Sequence, residues 1–171
     1  MKNIQKHLLL TFTLLCIYST SFGQASATAT ATATIITPIS ITKTADMNFG
    51  NVAVTAASGT VVMTPAAVRS LTGGVTLPAT TGTVTAASFT VSGEASYTYA
   101  ITLPTTHTIT SGVNNMTVNT FTSTPSSTGT LSSATPGVQT LNVGATLVVG
   151  GSQASGVYQS ATPFTVTVNY N

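Results

Sequence analysis

Residues 96–103, SYTYAITL, alternate polar and apolar side chains with a period of two. Successive side chains of a β-strand point to opposite faces of a sheet, so this pattern predicts a strand with one buried face and one solvated face. Residues 164–170, FTVTVNY, show the same alternation. Apolar residues after position 23 do not follow helical spacing. The two segments therefore favour an all-β fold.

Six further segments are rich in β-branched residues and are bounded by glycine, proline or serine. They are residues 47–54, 59–65, 68–77, 84–91, 116–122 and 138–149. Val and Thr are stiff side chains that favour a pleated sheet. Gly73-Gly74 and Gly150-Gly151 are typical of hairpins or bulges. Eight or nine short strands in a chain of this length predict a β-sandwich or a β-barrel.

The first 23 residues have the pattern of a secretory signal peptide. A basic start is followed by an apolar run at residues 8–17, and small residues occupy Ser21 and Gly23. The apolar run is about half of the ~20 residues that a bilayer span requires. We therefore expect cleavage near Gly23 and no transmembrane segment. Cys16 would leave with the leader, and the processed chain would then hold neither disulfides nor thiolate metal sites.

The processed chain would be almost free of charge. Its charged side chains are Lys43, Asp46, Arg69 and Glu94. A net charge near zero offers no electrostatic footprint for nucleic acid. His107 lies in a turn or at a strand edge, and neither it nor the two carboxylates has the partners that a metal site, a catalytic triad or a glycosidase pair requires. We predict no catalytic residue, no metal site and no cofactor.

Residues 25–41 show the longest alternation in the chain. The odd positions carry Ala or Ile except at Thr37, and most even positions carry Ser or Thr. A continuous strand of this length would run about 56 Å at ~3.3 Å per residue, whereas strands in globular domains are mostly about 5–6 residues long. Two interpretations stay open. Residues 24–34 are a flexible tether that leads to the first strand, or the segment adds a strand to a neighbouring subunit, with Ile35, Ile39 and Ile41 supplying the apolar contacts.

Aromatic residues sit within the alternating segments. Tyr97 and Tyr99 share one face of their predicted strand, as do Phe164 and Tyr170. Packing in the core is the expected role, and stacking against a sugar is the alternative. Tyr158 follows Gly156, which lets the chain turn, and we expect the Tyr158 hydroxyl to find a backbone partner.

Several ordered segments resemble the domain-of-unknown-function family 4402, which occurs in secreted proteins of Gram-negative bacteria. They are MNFGNV at 47–52, GTVVMTP at 59–65, FTVSGE at 89–94 with YTYAITLP at 97–104, LNVGATL at 141–147, and GVY at 156–158 before the terminal strand. The closing pattern is also similar to spore-coat-U-like and chaperone–usher pilin domains. Those domains are incomplete immunoglobulin-like sandwiches that a neighbour's strand completes. This chain departs from many of them by lacking cysteines and by having an alanine-rich arm.

Residues and resemblance together predict a signal peptide at 1–23, an extended N-terminal arm at 24–34 and an immunoglobulin-like antiparallel β-sandwich at 35–171. We expect a non-catalytic structural or adhesive subunit, secreted or on the cell surface, that forms a homo-oligomer or fibre by strand addition. The alternative is an autonomous extracellular module that binds a glycan or a surface protein. Such a module would stay monomeric and would expose some of its tyrosines.

Overall fold

A computed structural model describes residues 23–171, together with Asn3 and Gln5. The predicted signal peptide otherwise lies outside the described residues. Backbone contacts divide the chain into two units, Met1–Thr34 and Ile35–Asn171. Residues 24–34 form no strand and are exposed. Across the positions that the structure describes, no helix combines the length and the apolar character needed to cross a membrane.

The second unit is built from antiparallel β-strands, as the alternation predicts. In chain order the strands are β1 Ser40–Ala45, β2 Asn48–Phe49, β3 Ala53–Met63, β4 Arg69–Thr76, β5 Val84–Thr85, β6 Ala87–Gly93, β7 Thr98–Thr102, β8 Thr106–Ser111, β9 Asn114–Thr124, β10 Thr128–Thr130, β11 Gly137–Val149 and β12 Thr167–Tyr170. Seven of them form one sheet that contains the path β1-β6-β11-β3-β4, with β9 paired to β11 and β8 to β9. The other strands form the sheets β10-β7-β12 and β2-β5. The all-β, antiparallel sandwich is thereby confirmed.

The long strand β11 organises the large sheet. It pairs with β6 over residues 137–143, with β3 over 145–149 and with β9 over 142–148. A strand has only two edges, and β9 overlaps both of the other partners. Therefore β6 and β3 lie one after the other along the same edge of β11. They meet at Gly144, where an added Cβ would lie 2.2 Å from the backbone oxygen of Met63.

One face of β11 supplies two hydrophobic cores. The first core consists of Phe49, Val61, Met63, Val75, Val118, Ala145, Leu147 and Val149. The second core consists of Ala87, Val91, Tyr99, Leu131, Leu141, Val143, Val166 and Val168. The small β2-β5 sheet contributes Phe49 to the first core, and the β10-β7-β12 sheet contributes Tyr99 and Val168 to the second. The odd residues from Leu141 to Val149 join the two cores because they all point to one side of β11.

Three strands lie outside the eight segments that were predicted as strands. The first, β1, overlaps the alternating segment 25–41 at Ser40 and Ile41, continues to Ala45 and pairs with β6. The second, β8, contains His107 and forms a hairpin with β9. The third, β10, has three residues and pairs with β7. All three depend on a partner strand, which local sequence does not reveal.

Two predicted strands are shorter than expected. Residues 47–54 are interrupted at Gly50, which has a φ of +68° and donates its backbone N–H to the side-chain oxygen of Asn48 at 2.8 Å. This turn ends β2 and lets β3 begin at Ala53. At the C-terminus, β12 begins only at Thr167, although the alternation begins at Phe164. Continuing the β12–β7 register would place residue 165 opposite Pro104, which has no N–H to donate.

Candidate subunit-contact site

Just before β1, three residues form a triangle of hydrogen bonds. The Thr37 N–H donates to Oε2 of Glu94 at 2.8 Å. The Tyr170 hydroxyl donates to the carbonyl of Thr37 at 2.8 Å and accepts the Glu94 N–H at 2.5 Å. Glu94 follows the last residue of β6, and Tyr170 is the last residue of β12. The triangle therefore links Thr37, three residues before β1, to the ends of β6 and β12, which belong to the two layers of the sandwich.

The charge of Glu94 is part of this contact. The hydrogen bond from the Thr37 backbone holds the pKa of the Glu94 carboxyl below its ordinary value of 4.5. A donor that points at a carboxylate stabilises the ionised form. The triangle is consequently complete at neutral pH and is weakened by acid.

The three isoleucines of the predicted contact strand have different environments. Ile39 and Ile41 are half-buried against the second core of their own domain. Ile41 lies in β1, where it pairs with Val91 of β6. Ile35 lies before the triangle and is 97% exposed. Of the three, Ile35 alone is left uncovered in the single chain.

A cleft of about 1130 Å³ opens beside the first core. One wall is residues 43–54, which include the end of β1 and all of β2, and the other is residues 153–164. Val118, Leu147 and Val149 of the first core also line the cleft. Several hydrophobic side chains that pack on this core also line the cleft and stay half-buried: Met47, Val52, Val54, Ile109 and Met116. The first core is thus incompletely covered.

The two walls are held in place from outside the cleft. On one wall, two hydrogen bonds from Nη1 of Arg69 reach the carbonyls of Phe49 at 2.6 Å and Asn51 at 3.1 Å. On the other wall, the backbones of Gln159 and Thr110 exchange two hydrogen bonds of 2.8 and 2.9 Å. Each wall is therefore hydrogen-bonded to a strand of the large sheet, the first to β4 through Arg69 and the second to β8 through Thr110.

Residues 161–166 form an unpaired segment at the end of the second wall, and Pro163 and Phe164 of this segment line the cleft. They belong to no strand, although Val166 is buried and Phe164 packs on the second core. The Phe164 ring also lies 5.2 Å from the Phe121 ring and 5.8 Å from the His107 ring. Side-chain alternation thus continues through this segment without the backbone pairing that normally accompanies it.

The ionisable side chains are distributed over separate structural contacts. The ammonium of Lys43 contacts Asp46 at 2.7 Å in an exposed ion pair. Nε2 of His107 and the Ser160 hydroxyl form a hydrogen bond of 2.8 Å. Within the described positions, no group of three His, Cys, Asp or Glu side chains is arranged to hold a metal ion.

The tyrosines differ in their availability for ligands. Tyr99 is fully buried, its hydroxyl donates to Oε1 of Gln139 at 2.8 Å, and burial raises its pKa. Tyr97 is 44% exposed, and its ring packs edge-to-face on Tyr170 at 5.6 Å. The Tyr158 hydroxyl donates to the carbonyl of Ala154 at 2.8 Å, so its predicted backbone partner is confirmed. Sugar stacking by Tyr99 is excluded because its ring is inaccessible.

Sequence reasoning missed both the triangle and the cleft. The triangle joins positions up to 133 residues apart, and no local pattern marks it. A signal for the cleft does exist, because FTVTVNY encodes seven alternating residues but only four of them find a partner strand.

Comparison with known proteins places the chain in a family. The family model described as "Domain of unknown function (DUF4402)" matches residues 39–170. No curated protein and no solved structure gives a significant match. The matched region runs from Ile39, just before β1, to the last residue of β12 and covers most of the chain. The chain belongs to the DUF4402 family of domains of unknown function.

Proposed function

We propose that this protein is a secreted, non-catalytic structural or adhesive subunit of the bacterial cell surface, which assembles by strand addition between copies. The observation that carries the proposal is the state of residues 24–34. From Ala25 on they alternate Ala with Ser or Thr, yet they form no strand, while the sandwich that follows is built without them. An alternating segment without a partner is suited to pair with another chain.

Secretion is the part of the proposal that rests on the first 23 residues. Their basic start, apolar run and small residues before Gln24 have the pattern of a cleaved leader. Mass spectrometry of the protein released by cells that express the full sequence tests this part. A processed N-terminus near Gln24 supports secretion, and an intact Met1 in a cell-retained protein contradicts it.

Assembly is tested with the processed protein and a shortened chain that begins at Ile35. Both are followed by light scattering and negative-stain microscopy over a range of concentrations. We expect the longer chain to form species that grow with concentration and the shortened chain to stay monomeric. Monomers from both chains would contradict assembly through the arm.

A second shortened chain, beginning at Thr42, separates assembly from folding. It lacks Ile39 and Ile41, which pack on the second core, and Thr37 of the triangle. We expect it to be destabilised, whereas the chain beginning at Ile35 keeps these contacts. If the Ile35 chain also lost its folded circular dichroism, residues 24–34 would be part of their own domain.

One observation favours the alternative of an autonomous binding module. Tyr97 presents an exposed ring supported by Tyr170, an arrangement that suits stacking on a sugar face. A glycan array with the processed protein and Tyr97→Ala tests this alternative. Binding by monomers that the substitution abolishes would favour the module, and silence across the array would count against it.

A further inference from the structure

We propose that the cleft beside the first core is the acceptor for the Ala/Thr arm of a second copy, and that this arm pairs with the open edge of residues 161–166. The inference rests on the proposed function and names its acceptor. Three groups of observations carry it: the unfinished strand, the fit between arm and cleft, and the separation of the arm's point of attachment from the cleft.

The unfinished strand identifies the edge. Residues 164–170 alternate without interruption, but pairing with β7 covers only residues 167–170 because Pro104 ends the ladder. The opposite edge of residues 161–166 pairs with no other strand of the described chain. A strand added there would satisfy backbone groups in a segment whose side chains already have a strand-like arrangement.

The arm fits the cleft in size and charge. Residues 25–34 carry Ala at every odd position, Ser or Thr at every even position, and no charge. The cleft already contains large side chains, among them Met47, Phe89, Met116 and Phe164, so an incoming strand needs small ones. Lys43 and Asp46 at the rim neutralise each other, and an uncharged strand leaves neither of them unpaired.

The point of attachment favours a second copy. Residues 24–34 join the body at Thr37, which lies beside Glu94 at the end of β6. From there β1 runs towards Ala45, opposite Ser88 near the start of β6, and the cleft begins around that end of β1. The chain from Thr37 to Ala45, of which Ser40–Ala45 is strand, spans roughly 26 Å if it is extended throughout. A contact between different surfaces of identical copies is heterologous, and it builds an open chain unless the rotation between copies closes into a ring.

Disulfide trapping tests the inference, because residues 24–171 contain no cysteine. All variants are expressed from the full sequence with Cys16→Ser. One partner carries Ala31→Cys in the arm. The other carries Val157→Cys in the cleft wall, where the native side chain is 73% exposed. The control partner carries Ser70→Cys on β4, which lies at the other end of the large-sheet path from β1, and Ser70 does not line the cleft. Ala27→Cys replaces Ala31→Cys in a second series, to allow for the register of the arm.

We expect the arm variants mixed with Val157→Cys to give about tenfold more linked dimer than the same variants mixed with Ser70→Cys, because only a docked arm holds the two sulfurs together. Assemblies that link through Ser70→Cys would overturn the cleft as acceptor and leave strand addition standing. Monomers without intermolecular links would overturn both proposals. A link formed only within one chain, in the double variant with Ala31→Cys and Val157→Cys, would show an arm folded on its own body and would likewise overturn both.

Discussion

The Tyr170 hydroxyl donates a hydrogen bond of 2.8 Å to the carbonyl of Thr37, which joins residues 133 positions apart. The same oxygen accepts the N–H of Glu94, whose carboxylate accepts the N–H of Thr37. The last strand, β12, is thereby hydrogen-bonded to the chain just before the first strand, β1. This contact separates the described residues 23–36, which form no strand, from β1, which belongs to the sandwich.

Tyr170→Phe should loosen β1 while keeping the domain folded. The substitution removes two hydrogen bonds and retains the ring that packs against Tyr97. We expect the free energy of unfolding to fall by about 1–2 kcal/mol, and amide exchange in Ser40–Ala45 to accelerate. Chemical denaturation and hydrogen exchange measure the two effects.

Tyr158→Phe is the matched control for that experiment. Its hydroxyl also makes two hydrogen bonds, to Ala154 and Gln153, but it lies in the cleft wall, away from the triangle. Exchange in β1 should stay unchanged in this variant. Equal acceleration of β1 by both substitutions would show that the triangle has no local role.

Acid should weaken the hydrogen bond that the Thr37 N–H donates to the Glu94 carboxylate. The pKa of Glu94 is lowered in the folded chain, so the contact stabilises the fold above the unfolded-state pKa and is lost as the pH falls through the folded-state value. We expect the amide resonance of Thr37 to titrate with a midpoint below 4.5. In Glu94→Gln the amide oxygen can still accept the bond, and the titration should vanish. A Thr37 midpoint at or above 4.5 would contradict the assignment.

Gly144→Ala should destabilise the large sheet, because the new methyl group would lie 2.2 Å from the Met63 oxygen where β3 and β6 meet along β11. Overpacking of this kind costs about 1–3 kcal/mol, and thermal unfolding measures it. Gly150→Ala is the control, since its Cβ would meet only the movable Gln153 side chain. Similar melting temperatures for the two variants would rule out the close approach of β3.

Arg69→Met should weaken the cleft wall at residues 49–51. Both carbonyls that the guanidinium binds would lose a charged donor, and we expect a loss of about 1–2 kcal/mol. Exchange of the Asn51 amide, which donates to the Thr81 carbonyl at 2.7 Å, should accelerate. Arg69→Lys keeps the charge but not the planar guanidinium, so it should fall between the wild type and Arg69→Met. An unchanged Asn51 amide in Arg69→Met would contradict the role of Arg69.

The fold class was accessible from local sequence because alternation reports directly on which side chains share a face. Residues 96–103 predicted a strand, and β7 lies within them with Tyr99 buried. Tyr97 precedes β7 and is 44% exposed, so the prediction that it packs in the core beside Tyr99 was wrong. The strands around His107 and at Thr128–Thr130 were missed because they depend on pairing with β9 and β7, and local sequence does not reveal a partner strand. The subunit contact assigned to Ile35, Ile39 and Ile41 stays a prediction; in the single chain, Ile39 and Ile41 pack on their own core.

Sequence alone determined the antiparallel β-architecture, the scarcity of charge and the regular arm before Ile35, since each follows from residue type and spacing. Only the tertiary structure decided that β1 pairs with β6, that Thr37, Glu94 and Tyr170 form hydrogen bonds just before β1, and that a cleft opens beside the first core. These features arise where separate strands meet or fail to meet, and hydrogen bonding between remote segments leaves no periodic trace in the chain.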